Sequence, residues 1–581
     1  MKTLNNTKAL RIVLMAILTI ILSGNLFSQP NEDWVANYNG FNNEDKPSSM
    51  VMDKNKNIYI TGSSEDIQNG KDILTVKYSH EGKELWTARF SGGSNIDGND
   101  DAANSIIVDL KGNVYVTGYT HGGFRGRDYC TIKYNSEGVE QWVKFYSGEG
   151  DIEDSDEEAI AIAADNSGNV FVTGYSNGRG AAYETFTIKY NSRGDLLWKK
   201  TLQERTNSEN KPSALMIDGE GNAIVVGYSE GLVTGKDFVT VKYNSDGEEL
   251  WMQKYNSIPG NIAINDDEAK SMTIDKNNNV FVTGYSYGAG TGKDFCIVKY
   301  SSKGQQVWVS RIDNMKSNEE EVYDDEPSAL ALDNSGNIFV TGKSISPTEG
   351  GSDFLTVKID SKGVALWSMM YDSPQFTNTD DAAEAIAIDN SGNVIVTGYC
   401  GPIFFTSSCG RGKRFCTIKY ITDGEEKWVK EYAGRGVLET SNAGSRSVIT
   451  DEKGRIFVMG EVTDSETGTD YCLISYSEKV SHPIIKVSKE IADENKYRLN
   501  NNYPNPFNPS TKISFTIPNT AVVKLAIYDI TGKEVTQLVN SQLEKGSHQF
   551  EWNAVGLTSG TYFYKIQTEG FTETRRMLLI K

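Results

Sequence analysis

The stretch "AIAIAADNSGNVFVTGYSNGRGAAYETFTIKYNSRGDLLWKKTL", Ala159–Leu202, decides the fold. A short apolar run ends at "DNSGN", a turn built from residues that bond their own backbone or accept positive φ. The β-branched run "VFVTGYS" follows, then a loop, then "TFTIKY". A second turn, "NSRG", leads into "DLLWKKTL". Runs of this length between Asn, Asp, Ser and Gly clusters read as antiparallel strands, four to the unit. No helical period appears between Gln29 and the segment near Val480.

The unit repeats. Tryptophans stand at 34, 86, 142, 198, 251, 308, 367 and 428, spaced 52 to 61 residues apart. Gly62, Gly118, Gly174, Gly227, Gly284, Gly342, Gly398 and Gly460 close the "VTG"-like run on the same beat. Asp53, Asp109, Asp165, Asp218, Asp275, Asp333, Asp389 and Asp451 precede its first turn. A fixed period of this size predicts a repeat architecture, and four-stranded units arranged radially leave few exposed edges. "DWVANYNG" (Asp33–Gly40) reads as a last strand without its first three, and Ser445–Ser477 as three strands without their last. The predicted fold is all-β: an eight-bladed β-propeller closed by the N-terminal strand, followed by a small Ig-like β-sandwich. The expected segments are a signal peptide at 1–28, the propeller at 29–480, a linker at 481–501 and the sandwich at 502–581. The unit resembles the SBBP beta-propeller repeat family over about 450 residues, a resemblance that implies fold and says little of activity.

Lys2, Lys8 and Arg11 precede "IVLMAILTIIL" (Ile12–Leu22) and the polar "SGNLFSQP", the layout of a secretory leader, with cleavage expected near Ser28–Gln29. The apolar run is short for a membrane span. The chain has 581 residues, 55 of them Gly, and a net charge of −20, which argues against a nucleic-acid partner.

Candidate chemistry is mostly absorbed by the repeat. "GYSNG", Gly174–Gly178, has the G-x-S-x-G form of a nucleophile elbow, but "GYSEG" and "GYSYG" copy it at Gly227 and Gly284. An elbow needs one strand-to-helix turn and a partner histidine. Here the four histidines, His80, His121, His482 and His548, are scattered. Ser176 is therefore expected to be a loop residue, and the motif glycine to permit close packing or a bulge. Lysines at 77, 133, 189, 242, 299, 358 and 419 share one register and are expected to pack their stems and pair their amines. The "DNSGN" turns lack the alternating carboxylates of an EF-hand loop.

One acidic register invites a cation. Eight residues before each repeated Asp lie Asp45, Asp101, Glu157, Asn210, Asp267, Asp325, Asp381 and Ala443. On innermost strands these carboxylates would ring the channel mouth, and facing carboxylates favour a bound cation such as Ca²⁺. Capping of its own loop is the competing role for each. Cys130, Cys296, Cys416 and Cys472 share a core register, whereas Cys400 and Cys409 flank "GPIFFTSS" and are expected to form a disulfide in an oxidising compartment. The Gly-x-x-x-Trp offset, as in "GKELW" (Gly82–Trp86), is similar to the tryptophan-docking repeat of eight-bladed quinoproteins. That resemblance implies a quinone over a central Ca²⁺. The chain lacks the adjacent-cysteine pair many of those enzymes carry, so packing of Trp between blades is the preferred role.

After Asn500 the composition changes. "YPNPFNPST" (Tyr503–Thr511), "IYDITGKEV" (Ile527–Val535), "GTYFYKI" (Gly560–Ile566) and "RRMLLIK" (Arg575–Lys581) resemble the type A sorting domain of the type IX secretion system of Gram-negative bacteria. The resemblance implies export, handling by the type IX machinery, and release or display on the outer surface. The expected function is a secreted or surface-displayed, non-catalytic binding or adhesion propeller, its ligand a glycan, surface polymer or protein. The alternative is an extracellular enzyme on the propeller face, a quinoprotein-like dehydrogenase or metal-assisted hydrolase.

Overall fold

A computed structural model describes residues 29–40, 44–66, 70–92, 100–121, 126–148, 155–177, 182–202, 208–231, 234–257, 266–288, 292–313, 324–345, 351–373, 380–401, 412–434, 443–464, 468–478, 497–499, 502, 507 and 509–579. The expected leader and most of the expected linker lie outside them. The chain divides into two compact units, Met1–Lys479 and Val480–Lys581.

Among the described residues, the first unit is built of four-stranded antiparallel meanders. In chain order they run Asp45–Phe90, Ala102–Tyr146, Ser155–Leu202, Asn210–Tyr255, Glu268–Ile312, Asp325–Tyr371 and Ala382–Tyr432. The next has three strands of its own, Ala443–Thr450, Ile456–Asp464 and Gly468–Ser477. Its fourth is the N-terminal strand Asn31–Tyr38, with Trp34 opposite Ser475. We number these meanders one to eight and letter their strands A to D. A short parallel pairing, Ser155 with Gly126 and Asp156 with Arg127, joins the second and third into one sheet. The A strands of successive meanders touch in turn, and the first, Asp45–Met52, also touches the eighth, Ala443–Thr450. The arrangement is propeller-like.

Strands B and C are buried throughout, as in Val170–Ser176 and Glu184–Tyr190, because neighbouring meanders cover both faces. That is why their alternation is weak and their β-branched content high. Each core cluster joins two meanders: Tyr59 and Ile73 of the first pack with Ile106 and Val116 of the second, and Met50 and Val76 of the first with Phe457 and Leu473 of the eighth.

The repeated residues have distinct mechanical roles. Asp165 caps its A–B turn: Oδ1 accepts from the amides of Ser167 and Asn169 at 2.9 Å each, and Oδ2 accepts from the Asn169 side chain at 2.7 Å. The turn reading of "DNSGN" is correct. Gly174 lies opposite a register shift in strand A between Ala159 and Ala161. A Cβ there would sit 2.0 Å from the Glu158 carbonyl, so glycine permits the bulge. Trp86 covers Gly138 in the C–D turn of the next meander and donates to the Ser136 carbonyl at 3.0 Å. Lys77 donates to the same carbonyl at 3.0 Å, as the stem-packed, amine-paired reading requires.

The second unit holds a three-stranded sheet (Arg498–Leu499, Ser510–Ile517, Gly546–Asn553). It also holds a four-stranded one, in the order Glu534–Leu543, Ala521–Tyr528, Gly560–Gln567, Thr572–Leu579. Alternation in Ser510–Ile517 sends Ile513, Phe515 and Ile517 into a core with Leu525, Trp552 and Tyr564. Phe507 of the Pro-rich motif is buried against Trp552, ring centroids 5.4 Å apart.

If the N-terminal strand supplies the missing edge of the eighth meander, deleting Asn31–Tyr38 must expose both Leu473 and Phe457. We expect the truncated protein to melt below the variant Trp428→Ala, itself weakened by about 3–5 kcal/mol. Urea and thermal denaturation compare the two; a truncation that melts with the intact chain contradicts the edge-strand role.

Candidate functional site

The six carboxylates of the acidic register are buried, and each is occupied within its own meander junction. Asp45 accepts the Gly40 amide at 2.7 Å, and Asp101 those of Gly92 (2.6 Å) and His121 (2.8 Å). Asp267 accepts the amides of Ser257 at 2.7 Å and Tyr287 at 3.2 Å, and Asp381 those of Ser373 and Gly401, both at 2.9 Å. Glu157 accepts the Ser176 hydroxyl at 2.7 Å, and Asp325 that of Ser344. Where backbone amides donate, one donor generally follows strand D of the preceding meander and another lies at the end of strand B of the same one. The carboxylate thereby ties two meanders together, and hydrogen bonds offset its burial. Burial raises the carboxyls of Asp45, Asp101 and Asp267 despite those bonds. Among the described residues, the one group of three acids whose ligand atoms approach one another is Asp353, Asp372 and Asp381; the other five of the register are not in it.

Beside this register runs a belt of tyrosine, basic and acidic side chains. Glu158 accepts from Tyr175 at 2.7 Å and pairs with Arg127 at 3.3 Å. Glu268 accepts from Tyr285 at 2.8 Å and pairs with Lys236 at 3.2 Å and Lys270 at 2.6 Å. Burial opposes the Glu268 charge, but these lysines outweigh it and hold the carboxyl below its ordinary range. Glu326 pairs with Lys293 and, at 3.0 Å, with Lys343.

Meanders seven and eight lack the acid at this register, as meander two does with Ala102 opposite Tyr119. Ala382 pairs with Tyr399 and Gly444 with Glu461, where Glu158 pairs with Tyr175 and Glu268 with Tyr285. Between these strands lies a cavity of about 320 Å³, lined in part by Glu384, Tyr399, Lys413, Ser445, Arg446 and Glu461. Arg446 donates to Glu461 Oε1 at 3.0 Å, while Glu461 Oε2 is buried with no hydrogen-bond partner among the described residues. Lys413 sits 3.7 Å from the centre of the Tyr399 ring. Glu384 lines the cavity from the strand A bulge, yet surrounding protein strips enough solvent to raise its carboxyl, against the pull of Arg446, Lys343 and Lys413.

One expectation needs correction. Ser176 is not a loop residue: it ends strand B of the third meander, fully buried, with its hydroxyl committed to Glu157. It closes the run "VFVTGYS", and alternation carries its side chain inward rather than into the following loop. Cys400 likewise ends strand Val394–Cys400 and is buried in one core cluster with Cys416, whose thiol it contacts. Cys409, its expected disulfide partner, lies outside the described residues. Cys130, Cys296, Cys416 and Cys472 are buried free thiols, as their register implies.

Residues 85–125, 150–180 and 261–290 match the family described as beta-propeller repeat, and residues 501–581 match the secretion system C-terminal sorting domain. Both resemblances read from the sequence are thereby shown. The sorting tail indicates secretion and surface export by type IX machinery. Among the described residues, no helix is long and apolar enough to cross a membrane. The chain is 23% identical over 490 residues to an uncharacterized WD repeat-containing protein of Acanthamoeba polyphaga mimivirus. The match takes in 61% of this chain and 33% of that protein, so the chain spans about a third of the length of this curated relative. The WD40 domain of SCAP from fission yeast aligns at 8% identity and a TM-score of 0.41, over 76% of this chain and 98% of that one. PorZ, described as a surface component of the type IX secretion system of Porphyromonas gingivalis, aligns at 10% identity and a TM-score of 0.20, over 94% and 100%.

The raised carboxyl of Asp267 fixes the sign of a pH effect. The folded chain takes up this proton at a higher pH than the unfolded chain, whose aspartate titrates near about 3.9, so protonation stabilises the fold. As pH falls from neutral through the folded value, this group adds stability. Asp267→Asn is therefore expected to lose that acid-side gain, read as a flatter urea-midpoint profile than the native protein's; parallel profiles contradict it.

Proposed function

We propose that this type IX-secreted β-propeller protein is a non-catalytic binding or adhesion module, an eight-bladed ring closed by its N-terminal strand and followed by an Ig-like sorting sandwich. Its ligand is a glycan, held at the cavity between the seventh and eighth blades. The contacts between first and last A strands and their shared core support the closed ring.

The observation that carries the reading is the buried, unpartnered Glu461 Oε2 at a cavity wall. A buried acceptor without a donor is rare, and a ligand hydroxyl supplies one. Glu384 and Glu461 balance Lys413 and Arg446, so the cavity does not select strongly for net charge. Donors and acceptors around a tyrosine ring suit a polyhydroxylated ligand. The repeated hydroxyls and amines fit catalysis poorly, since Ser176 and Lys77 already hold structural bonds.

A glycan-array screen of the mature chain tests this. We expect a bound glycan whose affinity falls about ten- to a hundredfold in Arg446→Ala and Glu461→Gln, the loss of one or two charged hydrogen bonds. Melting temperature should be unchanged. Absence of any glycan ligand, or binding indifferent to both variants, overturns the site; turnover of the bound glycan overturns the non-catalytic reading.

A further inference from the structure

The acid trio of the sixth junction lies where three other meanders place opposite charges. Asp353 is two residues ahead of Leu355 in strand C, and Leu355 pairs with Met370 in strand D. In the first meander Leu74 pairs with Arg89, which holds Asp72 at 2.9 Å. In the fifth, Cys296 pairs with Arg311, which holds Asp294 at 2.7 Å. The seventh reverses the signs, Arg414 holding Glu431 at 2.7 Å. The sixth has an apolar residue, Met370, at this register, as the second has Phe145 opposite Cys130.

The next position accentuates the change. After strand D the fourth meander has Asn256, whose amide donates to Asp237 at 2.7 Å. The sixth has Asp372, an acceptor facing an acceptor. Asp381 joins them from the start of the seventh meander, its amide bonded to the Ser352 carbonyl at 2.7 Å. Asp353 and Asp381 are buried and Asp372 is exposed, so the group is half sunk and open on one side. Ser373 sits between two of the acids, next to Asp372 in sequence and with its amide on Asp381 Oδ2. Its side chain is 1% exposed, and its hydroxyl is buried with no hydrogen-bond partner among the described residues.

We propose that Asp353, Asp372 and Asp381 bind a divalent cation, calcium, with the Ser373 hydroxyl as a further oxygen ligand. One oxygen from each carboxylate lies within 4.8 Å of the others. Calcium binds oxygens at about 2.3–2.6 Å, so two of its ligands stand at most about 5 Å apart, and the trio already fits. Magnesium, at about 2.0–2.1 Å, holds its ligands no more than about 4.2 Å apart and demands octahedral regularity. The ion would take the place of the arginine found in the first and fifth meanders and join the sixth meander to the seventh. This site shares no residue with those named for the glycan cavity and does not need a ring spanning all six carboxylates.

Calorimetry and thermal melts of the full mature chain, with calcium or magnesium added, test it. Calcium is expected to give a binding heat and raise the melting temperature, and magnesium to do so less. Met370→Arg puts the side-chain cation back: it should raise the melting temperature without calcium and abolish the calcium response. Asp372→Asn changes an exposed residue, should fold normally, and should lose the calcium heat; it decides the matter if Met370→Arg does not fold. No calcium heat from the native chain overturns the proposal, as does a calcium response retained in Asp372→Asn.

Discussion

The seating of one tryptophan on a glycine of the next meander is the interaction on which the rest depends. Gly138 has φ of +80°, and its bare Cα lets the Trp86 ring close over the turn; a Cβ would come within 2.7 Å of the ring. The exposed carbonyl of Ser136 then takes two donors, the indole of Trp86 and the amine of Lys77. Trp142, Trp198, Trp251, Trp308 and Trp367 likewise donate to the carbonyls of Ser192, Ser245, Ser302, Ser361 and Thr422. Because ring, glycine and carbonyl fix distance and direction together, each meander is set at one angle to its neighbour. The A strands are brought edge to edge as a consequence.

The seam where the chain begins and leaves the unit shows how strongly that contact is needed. After Ser477 there is no C–D turn in the eighth meander, because its D strand comes from the other end of the chain. Trp428 therefore has no turn carbonyl to meet. Glu478 takes its place, accepting the indole at 2.7 Å, Lys419 at 3.0 Å and Lys427 at 2.6 Å. Burial works against the Glu478 charge, but these three donors hold its carboxyl below the ordinary range. On the other side of the seam Trp34 still covers Gly82, though its N–H has no partner among the described residues. Packing is retained there even where the hydrogen bond is lost.

Repetition made the scaffold legible from the chain alone. The tryptophan, glycine and aspartate beats each report a contact that every unit must make, so composition at one register suffices. The sites are legible only as departures from those beats. Ala382 and Gly444 matter for the side chains they lack, and Met370 for a charge it does not carry. Neither shows until strand register says which residues in other meanders to set beside them. Ser176 differs for a related reason: turn chemistry marks where a strand can stop, whereas burial between neighbours decides whether its last side chain faces inward. The acidic register was correctly aligned, but sequence spacing could not distinguish carboxylates that face one another from carboxylates that each cap their own junction.

The two departures are not independent in space. Asp381 immediately precedes the strand Ala382–Ile388, whose Glu384 lines the cavity. Gly401, whose amide Asp381 accepts, follows the strand that carries Tyr399. An ion fixing Asp381 would thus fix both strands on one side of the cavity, while Arg446 and Glu461 define the other. A scaffold of near-identical units has little means of making one junction differ from the next except by changing a few side chains. Changing them in adjacent junctions lets the rigidity introduced at one serve the shape of the other. This is how a propeller-like scaffold whose repeats are mechanically equivalent acquires a single distinguished sector.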